Sequence, residues 1–593
     1  MKKLLATIVG ITLSVVLFVA AIAIAVVVII TVATTQSIEP LKRGTVLEIN
    51  MNEAIVDSPD LSPLASLQAL VEGAAAEVSI LDLFRSLELA AEDSNITALS
   101  LRLDGAERLS LAHASELRDL LLNFRNNSAK PIYAYAEDLS QVEYFVASVA
   151  DSIYLHPLGS VEWQGVAVNG VYYGDLFEEV GVEAEVFRPA SCRYKSAVEP
   201  YISSGMSNES REQSEKIANT FWGSIVEEVS KSRGISTEAL RTTARDQIIV
   251  EAAAACDLRM IDRVGYRDNY NRALERLGIV REKSNSLRTT TLASYSSNVR
   301  AIIEEENSSL IGEPNKIAII YADGVIVDGE IASASGDEVV SGVVSRQLRR
   351  AREDDDVRAV IVRVNSPGGS ALAADVVWRE MELLQREKPL IVTMGSYAAS
   401  GGYYISAPAD LILANRYTLT GSIGVYGVLF AYEEALRRHL HIAMDGVGSE
   451  PSADFGRLPR SVTPIERAAV MRGVESVYTK FKECVASGRR LSPSVVEALG
   501  GGRVWCGEES VGCGLTDGVG GIREAVTIAI DRCDMGSSVV DLVEYGSDDT
   551  LLSASLGGLW GGSSLVESFA TELRSLLQTT NRVMALTPER VEF

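Results

Sequence analysis

Along the second half of the chain, dense apolar runs alternate with longer amphipathic stretches. "KIAIIYADGVIV" and "VRAVIVRVN" are nearly continuous apolar runs of strand length, the pattern of strands buried on both faces. "SPGG" then turns the chain into a stretch predicted as a helix at about Ala371 to Arg386. "PLIVTMG" predicts the next strand, a short helix begins near Ser400, and "DLILAN" predicts another strand. Strands alternating with helices imply parallel βαβ units and an α/β fold. Farther on, Thr463, Pro464 and Glu466 read as cap, first helical residue and capping-box partner of a long amphipathic helix.

The N-terminus breaks this alternation. After Lys2 and Lys3 no charge occurs until Glu39, so Leu4 to Ile38 is one uncharged, mostly apolar run. A bilayer-spanning helix needs about 20 such residues, whereas a cleavable signal has an apolar core of only about 7–15. Residues 1–40 are therefore predicted as an uncleaved signal anchor, a single transmembrane helix with its two lysines inside and the bulk of the chain outside.

Comparing the halves shows a repeat. "SLRLDGAERLSLAHASELRDLLLNFRNNSAKPIYAYAED" aligns with "IVRVNSPGGSALAADVVWREMELLQREKPLIVTMGSY", which sets Arg102 on Arg363. Downstream, Asp151 falls on Asp410, Ser236 on Ser492 and Asp262 on Asp517, in order and at nearly constant spacing. The chain is thus expected to hold two copies of one α/β domain, at 41–282 and 315–535, each of single-domain size. The Ser/Thr-rich stretch within 283–314 reads as the linker. Residues 536–593 read as a tail with a predicted helix, "SLVESFATELRSLLQ".

Composition narrows the function. The 593 residues are 47 % hydrophobic and 23 % charged, which is globular, and the net charge of −25 argues against a nucleic-acid partner. Six cysteines show no CxxC spacing, so neither a metal site nor a metal cofactor is expected.

The candidate chemistry lies in the glycine-rich turns. In "NSPGGS" (Asn365 to Ser370), Gly368 and Gly369 suit an oxyanion hole, or simply a tight strand-to-helix turn. The first copy reads "DGAERL" there and lacks the glycine pair. Ser400 follows a strand among small neighbours, in the position of a nucleophile or of a helix cap, and its first-copy counterpart is Gln141. None of the four histidines (His113, His156, His439, His441) sits in a glycine-rich turn. A lysine can replace histidine as the base if burial leaves it neutral.

Together "RVNSPGGS", "MGSYAASGGYYISAPAD", "LTGSIGVYG" and "RYKSAVEPY" resemble the signal peptide peptidase A (protease IV) family in its long tandem-repeat form. The likeness runs from the anchor through both repeats. It implies tandem crotonase/ClpP-like repeats and a membrane-anchored serine endopeptidase that degrades cleaved signal peptides, working without a cofactor. It also implies a homotetramer in the bacterial inner membrane, with the catalytic part on the periplasmic side. By motif, Ser400 would be the nucleophile, Lys195 the general base, Ser422 the residue orienting the lysine, and Gly368 and Gly369 the oxyanion donors. The repeat supports this division independently, because the second copy reads "SEPSADFGRLPR" where a lysine would be needed. Cys192, three residues before Lys195, departs from the family pattern. Two other readings keep part of this picture: a crotonase-like acyl-CoA enzyme, and a non-catalytic membrane scaffold.

Overall fold

The computed structural model describes residues 41–545 except 52, 59–76, 104–108, 310–314, 331–337, 458 and 537–539, and beyond them 584–586 and 590–592. The predicted anchor and the predicted tail helix lie outside the described residues. Among those described, no helix is long and apolar enough to cross a membrane.

Each repeat is built on its own largely parallel sheet. The first runs, edge to edge, Arg263–Val264, Ser152–Leu155, Ile132–Ala136, Ile96–Arg102, Thr45–Asn50 and Thr289–Thr291, every neighbour parallel. The second repeats this path with Gly518–Val519, Leu411–Ala414, Leu390–Ala399, Val357–Ser366, Asn315–Asp323 and Val540–Glu544. One sequence pattern thus folds twice in the same strand order.

Period-two alternation lets the second sheet serve two cores. Ala318, Ile320, Val360, Val362 and Val392 face the helices of their own repeat, Ser341–Glu353 and Ala371–Gln385. Ile317, Ile319, Ile361 and Ile391 face the other way and join one cluster with Leu117, Leu121 and Phe124 of the first repeat. The two repeats therefore share a core.

The expected linker is more than a connector. Thr289–Thr291 adds to the edge of the first sheet beside Val46–Glu48, because a run of β-branched residues suits an edge strand. Helix Leu292–Ser309 follows and buries Leu292, Tyr295 and Val299. In the tail, Val540–Glu544 does the same for the second sheet, and Met584–Leu586 pairs antiparallel with Gly368–Ser370. The long helix starts at Pro464 with the expected capping box of Thr463 and Glu466.

The equivalent turns of the repeats part company after strands Ser160–Glu162 and Leu419–Gly421. The next residue is Trp163 in the first repeat and Ser422 in the second, both fully buried. Trp163 packs edge-on to Tyr144 and donates through Nε1 to Leu240 O at 2.9 Å. Gln141 holds the same turn, accepting from Gly165 N and donating to Gly165 O. In the first repeat this pocket is core. Trp163→Ala is expected to cost roughly 3–5 kcal/mol of stability, measured by denaturant unfolding.

Candidate active site

Ser400 ends the strand Leu390–Ala399 and precedes the helix Gly401–Ser406. Its backbone is held at φ 56° and ψ −115°, and its hydroxyl makes no capping bond, which sets aside the helix-cap reading. A non-glycine residue there stores about 1–3 kcal/mol of strain, and such strain gathers at functional turns. Ser400 N donates to Gly421 O at 2.8 Å, tying this turn to the next. Ser422, after Gly421, is likewise left-handed at φ 49° and donates its N–H to Arg503 O at 2.7 Å. Two adjacent strained turns thus point two buried serines inward.

Lys195 arrives from the other repeat. Strand Glu183–Phe187 crosses over and pairs antiparallel with Gly427–Ala431, placing first-repeat chain on the second. Glu185 anchors this strand by accepting from Val462 N at 2.6 Å and pairing with Arg467. The loop beyond it docks through Tyr194 N, which donates to Gly501 O at 3.0 Å, while the Arg188 side chain braces the loop from within, Nη1 donating to Lys195 O at 2.8 Å. Glycines make that docking close. A Cβ on Gly502, whose φ is +83°, would lie 2.6 Å from Lys195 Cβ and N, and one on Gly424 would lie 2.8 Å from Gly502 Cα. The glycine run Gly500–Gly502 was the one sequence signal for this contact, and motif reading passed over it.

The side chains then converge. Lys195 Nζ lies within hydrogen-bond distance of Ser400 Oγ at 2.7 Å, Ser422 Oγ at 2.9 Å and Ser422 O at 3.1 Å. All three residues are fully buried. Desolvation works against an ammonium ion, and these neighbours are hydroxyls and a carbonyl, so the arrangement suits a neutral amine that accepts a proton. Cys192 packs beside it, unpaired and buried, its thiol pushed up by burial and so kept neutral.

Gly368 and Gly369 lie alongside, with φ of 105° and 159°. Gly368 N donates to Ser366 Oγ at 3.2 Å, so that N–H is already engaged. A Cβ on Gly401 would come within 3.2 Å of Gly368 Cα and Gly369 N, which puts the N–H-bearing turns of Gly369 and Gly401 against each other. Sequence reasoning did not single out Gly401; its place next to Ser400 at a helix start, where N–H groups lack helical partners, was the available signal. The first-copy segment that aligns with the glycine pair, 104–108, lies outside the described residues.

Known proteins resemble this chain along most of its length. The profile of peptidase family S49 matches residues 125–281 and 382–535. Protease 4 of Salmonella typhi is 33 % identical over 543 residues, 88 % of this chain and 83 % of that one. Protease 4 of Haemophilus influenzae is 32 % identical, covering 80 % and 77 %. The chloroplastic serine protease SPPA of Arabidopsis thaliana is 30 % identical, covering 82 % and 71 %.

Gly502→Ala tests the docking. The added methyl must push the Lys195 loop outward, and a misplacement of about 1 Å costs on the order of 10²-fold in rate. Activity is expected to fall by roughly that factor in a steady-state assay, with circular dichroism unchanged.

Proposed function

The chain belongs to peptidase family S49 and is a serine peptidase, and on that premise we propose that Ser400 is its nucleophile and Lys195 its general base. The observation that carries this is the single buried amine held between two serine hydroxyls, 2.7 Å from one and 2.9 Å from the other. Neutral Lys195 takes the Ser400 Oγ proton as that oxygen attacks a peptide carbonyl. Ser422 accepts a hydrogen bond from Nζ and aims it. The N–H groups of Gly369 and Gly401 hold the developing oxyanion, with Gly368 shaping the turn. The lysine ammonium then protonates the leaving amine, and the regenerated amine activates water to release the acyl group from Ser400.

The division of labour follows the repeats, 41–282 supplying the lysine and 315–535 the serines. This favours peptide hydrolysis over acyl-CoA chemistry or a scaffold role, in which a buried Lys–Ser pair has no use. The topology of each sheet fits a crotonase/ClpP-like repeat. Substrates are extended apolar peptides, cleaved signal peptides among them. The edge of Gly368–Ser370 suits them, since the chain's own Met584–Leu586 pairs with it antiparallel, as an added strand does. The apolar run at 4–38 supports a bilayer anchor, with the catalytic part on the outer face of a bacterial inner membrane. Assembly as a homotetramer and the absence of a nucleic-acid partner complete the reading.

Ser400→Ala and Lys195→Ala are each expected to lower kcat by roughly 10³-fold or more on an apolar peptide, with fold and assembly unchanged. Full activity in either would overturn the mechanism. Ser422→Ala removes one hydrogen bond to the amine and is expected to cost about 10- to 100-fold. Because the amine works only when unprotonated, kcat/KM should rise with pH along a single ionisation, read from a pH–rate profile. A flat profile would count against Lys195 as base.

A further inference from the structure

The strand that ends in Ser400 is not regular. Val364 pairs with Met394, but Ser366 pairs with Ala398, so Asn365 alone faces three residues, Gly395, Ser396 and Tyr397. The bulge lies just before Ser400. Bulges re-aim the chain that follows them, which here ends at Ser400.

Polar groups from both repeats hold this bulge. Asn365 Oδ1 accepts from Tyr397 N at 3.1 Å, and Asn365 Nδ2 donates to Asp323 Oδ1 at 3.0 Å. Thr418 Oγ1 donates to Gly395 O at 2.7 Å. From the first repeat, Ser110 Oγ accepts from Ser396 Oγ at 2.9 Å. Gly395 admits no side chain, because a Cβ there would lie 2.9 Å from Asp57 Oδ2 and 3.1 Å from Asn365 Cβ.

Asp57 is itself fixed. It accepts from Arg363 Nε at 2.6 Å and pairs with His113 Nε2 at 2.9 Å. Arg363 also donates to Glu116 Oε2 at 2.8 Å and Thr393 Oγ1 at 3.1 Å, and Glu116 Oε1 accepts from Ile522 N at 2.7 Å. Asp57, His113, Glu116 and Arg363 are all buried. Burial opposes charge on Asp57, yet Arg363 and His113 hold its carboxyl well below the usual range. Burial likewise opposes charge on His113, and Asp57 more than offsets it. Asp323 is pushed up to about 7, by burial and then by Asp57. A buried ion cluster is a poor source of stability, since desolvation consumes most of its Coulomb gain. It fixes geometry well, because moving one member leaves another buried charge without its partner.

We propose that Asn365 is a positioning residue that sets the aim of Ser400 through the 395–397 bulge, and that the first repeat fixes this aim through Asp57 and His113. The inference rests on Ser400 being the nucleophile. Asn365 lies outside the Lys195–Ser400–Ser422 contacts, so its loss alters where Oγ points and leaves the strand edge that takes substrate in place.

The test uses the full-length enzyme and an apolar peptide, with kcat, KM and melting temperature measured for each variant. Asn365→Ala is expected to lower kcat tenfold or more with KM within twofold. His113→Ala is expected to lower kcat several-fold, and His113→Gln, which can still donate to Asp57, to restore it to within twofold of wild type. Unchanged kcat in Asn365→Ala overturns the proposal. So does a kcat in His113→Gln no better than in His113→Ala, and that pair decides the matter if Asn365→Ala does not fold. Ser400→Ala is run alongside: if it stays active, the reading of the site itself fails. If it is inactive while Asn365→Ala is normal, only the positioning role falls.

Discussion

Everything in this molecule depends on one contact between its halves, the Lys195 amine against the Ser400 hydroxyl. Neither group is reactive by itself at neutral pH. A solvated lysine is protonated, and a serine hydroxyl holds its proton. Burial of the lysine works against its charged form, and its amine lies 2.7 Å from the Ser400 hydroxyl. Holding the amine at that distance requires the repeats to dock closely. The close fit shows where Gly502 meets the Lys195 backbone, with no room for a side chain between them. Long side chains at that surface would have left slack.

In the proposed mechanism neither copy carries a whole site. In the first repeat the space equivalent to the serine turns is filled by Trp163 and closed by Gln141. That copy gains a core residue where the other keeps strained backbone. The second repeat carries the conformational strain at Ser400 and Ser422, and the shared apolar core beneath its sheet offsets it. Strain and stability are therefore spread over one cooperative body.

The buried charges follow the same logic. Arg363, Asp57, Glu116 and His113 cross the same interface some distance from the reacting atoms. Replacing such a cluster with apolar residues of similar volume is often neutral or stabilising. Its place against the bulge of the Ser400 strand gives it a use that stability alone does not.

The sequence by itself determined the elements and the residues. Runs of β-branched and aliphatic residues read as buried strands because their period admits nothing else, and the Thr463 cap read true because its bonding is local. The repeat alignment separated serine from lysine without any geometry. What tertiary structure decided depends on partners distant in sequence. The linker became an edge strand because the sheet beside it had an open edge. Gly368 has its N–H turned to Ser366, and Gly401 came into view, only once two turns met. The bulge at Gly395–Tyr397 exists only as a mismatch between two strands, so no single stretch of sequence encodes it.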